Sequence, residues 1–157
     1  YFYSGFMFFY NLERNGKMPG SAQEIRYINR DENTHLWLFR NIIKELQNEN
    51  PELFTNEIKS ELREMMEYGV SQEILWGHYV IGDNIQGINK KLIEDYIKYL
   101  GNKRLREINL EPLYSTEYDK NPASWVDSLS NANSVKTDFF EARSTAYAKA
   151  ATLVDDL

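Results

Sequence analysis

Apolar residues recur at helical spacing from the start of the chain. Phe2, Phe6, Phe9 and Tyr10 mark a helix over Tyr1 to about Arg14, and Asn15-Gly16-Lys17-Met18-Pro19-Gly20 breaks it. Ser21-Ala22-Gln23-Glu24 has the form of a capping box, with Ser21 as the cap and Glu24 reaching back to its N–H. The helix it opens should run to about Asn48, with Ile25, Ile28, Glu32, His35, Leu36, Phe39 and Ile43 along one stripe, until Asn50-Pro51 stops it. A further helix is expected over Thr55 to Tyr68, with Ile58, Leu62, Met65 and Met66 inward. Gly69 would follow its end, and Ser71 would cap the next helix, to about Ile81. After Gly82-Asp83-Asn84 a last helix is expected from about Asn89 to Arg106. Beyond Leu110, Pro112, Asn121-Pro122 and the polar run at 128–134 predict extended or irregular chain, and 139–157 is only weakly amphipathic. The pattern divides the chain into a helical part, 1–110, and an irregular segment with a tail, 111–157.

Composition narrows the class. The 157 residues amount to one ordinary domain, and 42% hydrophobic with 14% aromatic residues suffices for a packed core. Eight Gly and four Pro leave long stretches unbroken, which favours an all-α fold. The absence of cysteine excludes disulfides, thiolate metal sites and a cysteine nucleophile within these residues. Lys+Arg of 18 against Asp+Glu of 24 argues against binding to a phosphate backbone. Asn11, Glu13 and Arg14 interrupt the apolar opening well short of the ~20 residues a membrane span needs, and no basic leader precedes it. The expectation is a cytoplasmic protein without nucleic acid or membrane partners. The opening residues read as the second half of a buried helix entered midway, so the chain reads as a piece of a larger unit.

Candidate metal ligands are then limited to carboxylates and two histidines, His35 and His78. Glu32 and His35 form Glu-x-x-His, a spacing that puts both side chains on one helical face about a turn apart, able to hold one ion. Carboxylate with imidazole suits iron or manganese, whereas a solvated ion pair is the structural alternative. Their stripe, shared with Ile25, Ile28 and Phe39, points them toward a core, where two ionisable groups without partners would cost several kcal/mol. Asp31 lies about 100° around the helix, placed to accept a hydrogen bond from an imidazole ligand on a neighbouring helix. No carboxylate stands three or four residues before His78, which reads as structural or exposed. Phe2, Phe6 and Phe9 read as core, and Asp155-Asp156 as a solvated end.

The run Ile28-Asn29-Arg30-Asp31-Glu32-Asn33-Thr34-His35, preceded by Phe2-Tyr3-Ser4-Gly5-Phe6, resembles the second metal-binding half of a class I ribonucleotide reductase small subunit. Gly87-Ile88-Asn89-Lys90, Tyr99 to Leu105, Asn121 to Trp125, and Phe139 to Tyr147 agree with that family in the same order. The resemblance implies the C-terminal half of a ferritin-like bundle, lacking the N-terminal helices, with an extended C-terminal tail. It implies that Glu32 and His35 are ligands of a di-metal centre, of iron first, with manganese or a mixed manganese–iron pair as alternatives. Asp31, Glu141 and Tyr147 would relay the oxidising equivalent. Phe2, Phe6, Ile25 and Ile28 would line the dry pocket that shields a radical, and Leu153 and Leu157 would dock on the large subunit. The family's other four ligands would lie upstream, so the implied partners are the N-terminal half of the small subunit, the large catalytic subunit, and a second copy of the assembled small subunit. Two other readings stand beside it: a ferritin-like di-metal oxygenase or oxidase, which shares Glu32 and His35 but has no use for Tyr147, and a helical interaction module without metal.

Overall fold

A computed structural model describes residues 3–130 as five helices: α1 (Tyr3–Arg14), α2 (Pro19–Glu49), α3 (Asn56–Val80), α4 (Lys90–Glu107) and α5 (Ser124–Ser130). Single 3₁₀ turns occupy Pro51–Leu53 and Thr116–Asp119, and there is no strand among the described residues. Phe2, Glu141, Tyr147, Leu153 and Leu157 lie outside them.

The core forms where α1 packs against the other helices. Phe6, Met7 and Tyr10 of α1 meet Val70 of α3, Ile93, Tyr96, Ile97 and Leu100 of α4, and Val126 of α5. Tyr10 keeps its hydroxyl satisfied in that interior, accepting from Asn29 Nδ2 of α2 at 3.0 Å. Asn11, also buried, donates to the Gln86 carbonyl at 2.8 Å and so ties the α3–α4 loop to α1. Gly87 in that loop has φ +90°, and a Cβ there would stand 2.7 Å from both Arg14 Nη2 and Asn11 Oδ1. Only glycine fits.

Helix ends follow local chemistry more closely than the pattern alone suggested. Thr55 and Asn89 cap α3 and α4 by accepting from the N–H of Ile58 (3.3 Å) and Leu92 (2.8 Å). Asn50 ends α2 ahead of Pro51. Ser21, by contrast, is no cap. The helix begins two residues earlier because Pro19, with its fixed φ and missing N–H, suits the first turn; Met18 precedes it in the left-handed region (φ 48°).

The expected break at Gly69 is absent: α3 runs unbroken for 25 residues. Ser71 makes no cap either, its Oγ donating instead to the Tyr68 carbonyl at 2.7 Å, a bond helices tolerate. Glycine inside a helix costs about 1 kcal/mol, offset here by burial of the neighbouring Val70. Fusing the two segments also sets the buried line as Val70, Glu73 and Gly77. Met65 and Ile58, expected inward, are therefore exposed. Gly77 lets α3 approach α1 and α4, since a Cβ there would meet Ile93 Cγ2 at 2.8 Å and Ser4 Cβ at 3.2 Å. Neither contact is the far end of a flexible side chain, so Gly77→Ala is expected to cost roughly 1–3 kcal/mol, read as a lower denaturant midpoint at unchanged slope.

Between Glu111 and Ser130 the chain is also less irregular than its composition implied. Asn102 of α4, fully buried, accepts from the N–H groups of Leu113 and Tyr114 and donates to the Tyr114 carbonyl, pinning the chain as it leaves α4. Asn121 then accepts from the Ala123 N–H and donates to Asp127, a local turn that launches α5.

Candidate metal site

Glu32 and His35 stand on one face of α2, with His35 Nδ1 3.5 Å from Glu32 Oε2. Their side chains are 60% and 63% exposed. The expectation that they face a closed core is not met by the described residues: Ile28 and Phe39, on the same stripe, are also exposed. The reason is architectural. Helix α2 packs on α1 and α5 through another side of its surface, where Ala22 and Asn29 are buried. Among the described residues, α1 borders one edge of the stripe bearing the pair and no helix covers it.

That stripe nonetheless forms a groove of about 590 Å³, with Tyr3 and Phe6 of α1 forming one wall and Ile25, Ile28, Leu36 and Phe39 of α2 beside Glu32 and His35. Three of the residues expected to shield a radical, Phe6, Ile25 and Ile28, thus lie together with the pair. Phe6 is buried, Ile25 partly so, and Ile28 open. As donors, a carboxylate oxygen and an imidazole nitrogen a turn apart fit a hard or borderline cation. Among the described residues no third His, Cys, Asp or Glu joins them. The pair fits as part of a metal site whose remaining donors the described residues do not hold.

Asp31 points elsewhere. Its carboxylate is 62% exposed and accepts from Arg30 Nε at 3.1 Å, and no imidazole ligand of a neighbouring helix meets it among the described residues. His78 closes the α3–α4 corner, its Nε2 3.0 Å from the Lys90 carbonyl, in keeping with a structural role.

Two polar anchors around the groove escaped the sequence pattern. Glu73 of α3 is buried and accepts from both the N–H of Ser4 (2.9 Å) and the Ser4 hydroxyl. Its place between Val70 and Gly77 on the buried line could have revealed it, had α3 been read as one helix. Arg104 of α4 donates to the Tyr3 hydroxyl at 3.1 Å and to both carboxylate oxygens of Glu107, at 3.1 and 2.9 Å. Glu107 in turn faces Arg40 of α2 at 3.7 Å. Tyr3, Arg104, Glu107 and Arg40 thus link the groove's wall to α4 and back to α2.

The all-α arrangement of the described residues is that of the ferritin-like class of helical proteins. The chain belongs to the ribonucleotide reductase small-chain family, whose profile matches residues 1–122. It is 62% identical over 158 residues to the ribonucleoside-diphosphate reductase subunit beta of Treponema pallidum (strain Nichols), covering 100% of this chain and 45% of that protein. The corresponding subunit of Halalkalibacterium halodurans is 47% identical over 148 residues, 94% of this chain and 43% of the relative. Among solved structures, the ribonucleotide reductase R2 subunit from Clostridium botulinum superposes with a TM-score of 0.78 at 56% identity, over 82% of this chain and 40% of that one. The chain therefore spans less than half the length of these relatives. No helix among the described residues is long and apolar enough to cross a membrane.

Proposed function

We propose that this chain is the C-terminal half of a ribonucleotide reductase small subunit, supplying part of a metal centre and the tail that passes an oxidising equivalent to a large catalytic subunit. The observation that carries this reading is the Glu32–His35 pair on one side of an apolar groove, in a chain of this family. The length that the relatives have beyond the matched part would, in this reading, supply the helices that cover the α2 stripe and hold the other ligands. Ile28 and Phe39, exposed on that stripe, are apolar surface such helices would bury.

In this reading Glu32 donates a carboxylate oxygen and His35 an imidazole nitrogen to the centre. A bound pair of redox-active ions, with iron proposed first and manganese or a mixed pair as alternatives, supplies one-electron oxidising chemistry there. The chain's own residues do the remaining work. Phe2, Phe6, Ile25 and Ile28 keep water from the groove, because apolar walls offer water no hydrogen-bond partners. Asp31 takes or returns the proton that accompanies each electron at the interior end of the relay. Glu141 and Tyr147 serve its outer end, and Leu153 and Leu157 anchor the tail on the large subunit. The product of the assembled enzyme is the deoxyribonucleotide. The assembled small subunit pairs with a second copy of itself.

The full-length subunit with Tyr147→Phe tests this. Removing one hydroxyl from the tail is expected to abolish ribonucleotide reduction with the large subunit while bound metal, measured by elemental analysis, stays at the wild-type stoichiometry. Unchanged turnover would overturn the relay. A metal-free wild-type subunit after loading would overturn the centre.

A further inference from the structure

Tyr3 stands between two cavities. On one side is the groove with Glu32 and His35; on the other is a second cavity, of about 330 Å³, lined by Tyr3, Tyr96, Lys103, Arg104 and Asp127 among others. Tyr96 of α4 is only 3% exposed and lines that second cavity. Its ring stacks on Tyr99, one turn further along α4, with centroids 6.3 Å apart and 27° between planes. Tyr99 is only partly buried. Three oxidisable rings thus lead from the groove, through the interior, to the surface of α4.

The fixed charges are graded along the same line. Arg104 donates to the Tyr3 hydroxyl, and a guanidinium there disfavours a positive hole. Burial first, and then the Asp127 carboxylate, raise the pKa of both Tyr96 and Tyr99, the effect of Asp127 exceeding the opposing one of Arg104. A nearby carboxylate favours oxidation of a phenol by stabilising positive charge on the ring. Lys103, 5.9 Å over the Tyr99 ring, acts the other way, and Tyr99's partial contact with water screens it.

We propose that Tyr3, Tyr96 and Tyr99 form an escape route that carries an undelivered oxidising equivalent from the Glu32–His35 groove to the surface of α4. The oxidant, a one-electron acceptor stronger than the tyrosyl radical and located in the groove, rests on the metal-centre reading above. It takes an electron from Tyr3, whose phenolic proton leaves to solvent. Tyr96 then reduces the Tyr3 radical, which regains a proton from solvent, while the Tyr96 proton leaves to solvent through the second cavity that it lines. Tyr99 reduces the Tyr96 radical in the same way, a proton returning to Tyr96 from solvent and that of Tyr99 entering solvent. A thiol in solution donates a hydrogen atom to Tyr99 and closes the sequence. One groove oxidant is reduced, and one thiol is oxidised to its thiyl radical.

The full-length subunit is oxidised in two ways without thiol: with ferrous iron and oxygen, and, metal-free, by a photo-oxidising aromatic amino acid incorporated during synthesis in place of Phe39 at the groove. Oxidised tyrosines are mapped by mass spectrometry, and radicals are followed by electron paramagnetic resonance. The expected result is an oxidised Tyr99 in both arms, lost in Tyr96→Phe while oxidation of Tyr3 persists. Asp127→Asn, a surface change that leaves the ring path intact, is expected to shift product from Tyr99 back to Tyr3, and it decides the matter should Tyr96→Phe fail to fold. Oxidation of Tyr99 in the light-driven arm but not with iron would sink the metal centre and keep the route. Tyr99 oxidation that is absent in the light-driven arm, or indifferent to both variants there, overturns the route.

Discussion

The full-length subunit carrying Glu32→Ala or His35→Ala is expected to lose its metal while keeping its fold. Partners that merely orient a ligand are worth about 10–100-fold in metal affinity, so deleting a ligand itself should cost at least about 100-fold. The stability side is decided by exposure. The two side chains are 60% and 63% exposed and 3.5 Å apart, and such a pair contributes about 0–1 kcal/mol. The melting temperature of residues 1–157 with either substitution should therefore match that of the unsubstituted chain. Their effects on metal affinity should also be non-additive, since two donors to one ion act as a unit. Asp31→Asn serves as a comparison: its carboxylate engages only Arg30 among the described residues, so metal should stay bound. Equilibrium dialysis with elemental analysis reads the wild type, both single variants, their double variant and Asp31→Asn. Stoichiometric metal in the Glu32→Ala/His35→Ala double variant would end the assignment.

This contrast between a site without much stability and a scaffold without much chemistry explains what the sequence revealed. The 3.6-residue period identified four of the five helices, because burial of one face drives each of them. It placed Glu32, His35, Ile25 and Ile28 on one stripe of α2, the family resemblance added Phe6, and all five line one groove. It failed where a single residue's backbone preference outweighed periodicity. Pro19 began α2 ahead of Ser21, and Gly69 lay inside α3, where tertiary packing overrides a modest propensity cost. The misread break at Gly69 then hid Glu73, since a helix read as starting at Ser71 does not carry the line from Val70 through Glu73 to Gly77. The α5 turn depends on Asn121 bonding its own neighbours, a local device that no periodicity records. Exposure of the α2 stripe was illegible for another reason: a pattern of apolar positions tells which face seeks cover, and not what covers it.

Glu73 is where scaffold and site meet, and its substitution is expected to have the largest effect on stability. Glu73→Ala would strip both the Ser4 N–H and the Ser4 hydroxyl of the acceptor they share in the interior. Leaving buried donors unpaired and opening a small cavity together cost roughly 2–4 kcal/mol. Glu73→Gln keeps an oxygen for the N–H but gives up the charge-assisted character of both bonds, for a smaller loss of about 1–2 kcal/mol. Ser4→Ala should then add little to Glu73→Ala, because the hydroxyl it removes has already lost its partner. Urea unfolding of the four proteins closes that cycle, and Glu73→Ala within about 0.5 kcal/mol of wild type, the level of ordinary surface changes, would refute the anchor. The consequence reaches the groove because Ser4 lies between Tyr3 and Phe6 on α1, and those two residues form the groove's wall. Glu73 holds that turn of α1 from the α3 side, Arg104 holds the Tyr3 hydroxyl from α4, and Gly77 lets α3 come close enough for the first bond to form. Hydrogen exchange in Glu73→Ala should accordingly accelerate first around Tyr3–Met7, ahead of Ile93–Ile97 in α4, since loss of the anchor frees the wall before it loosens the core.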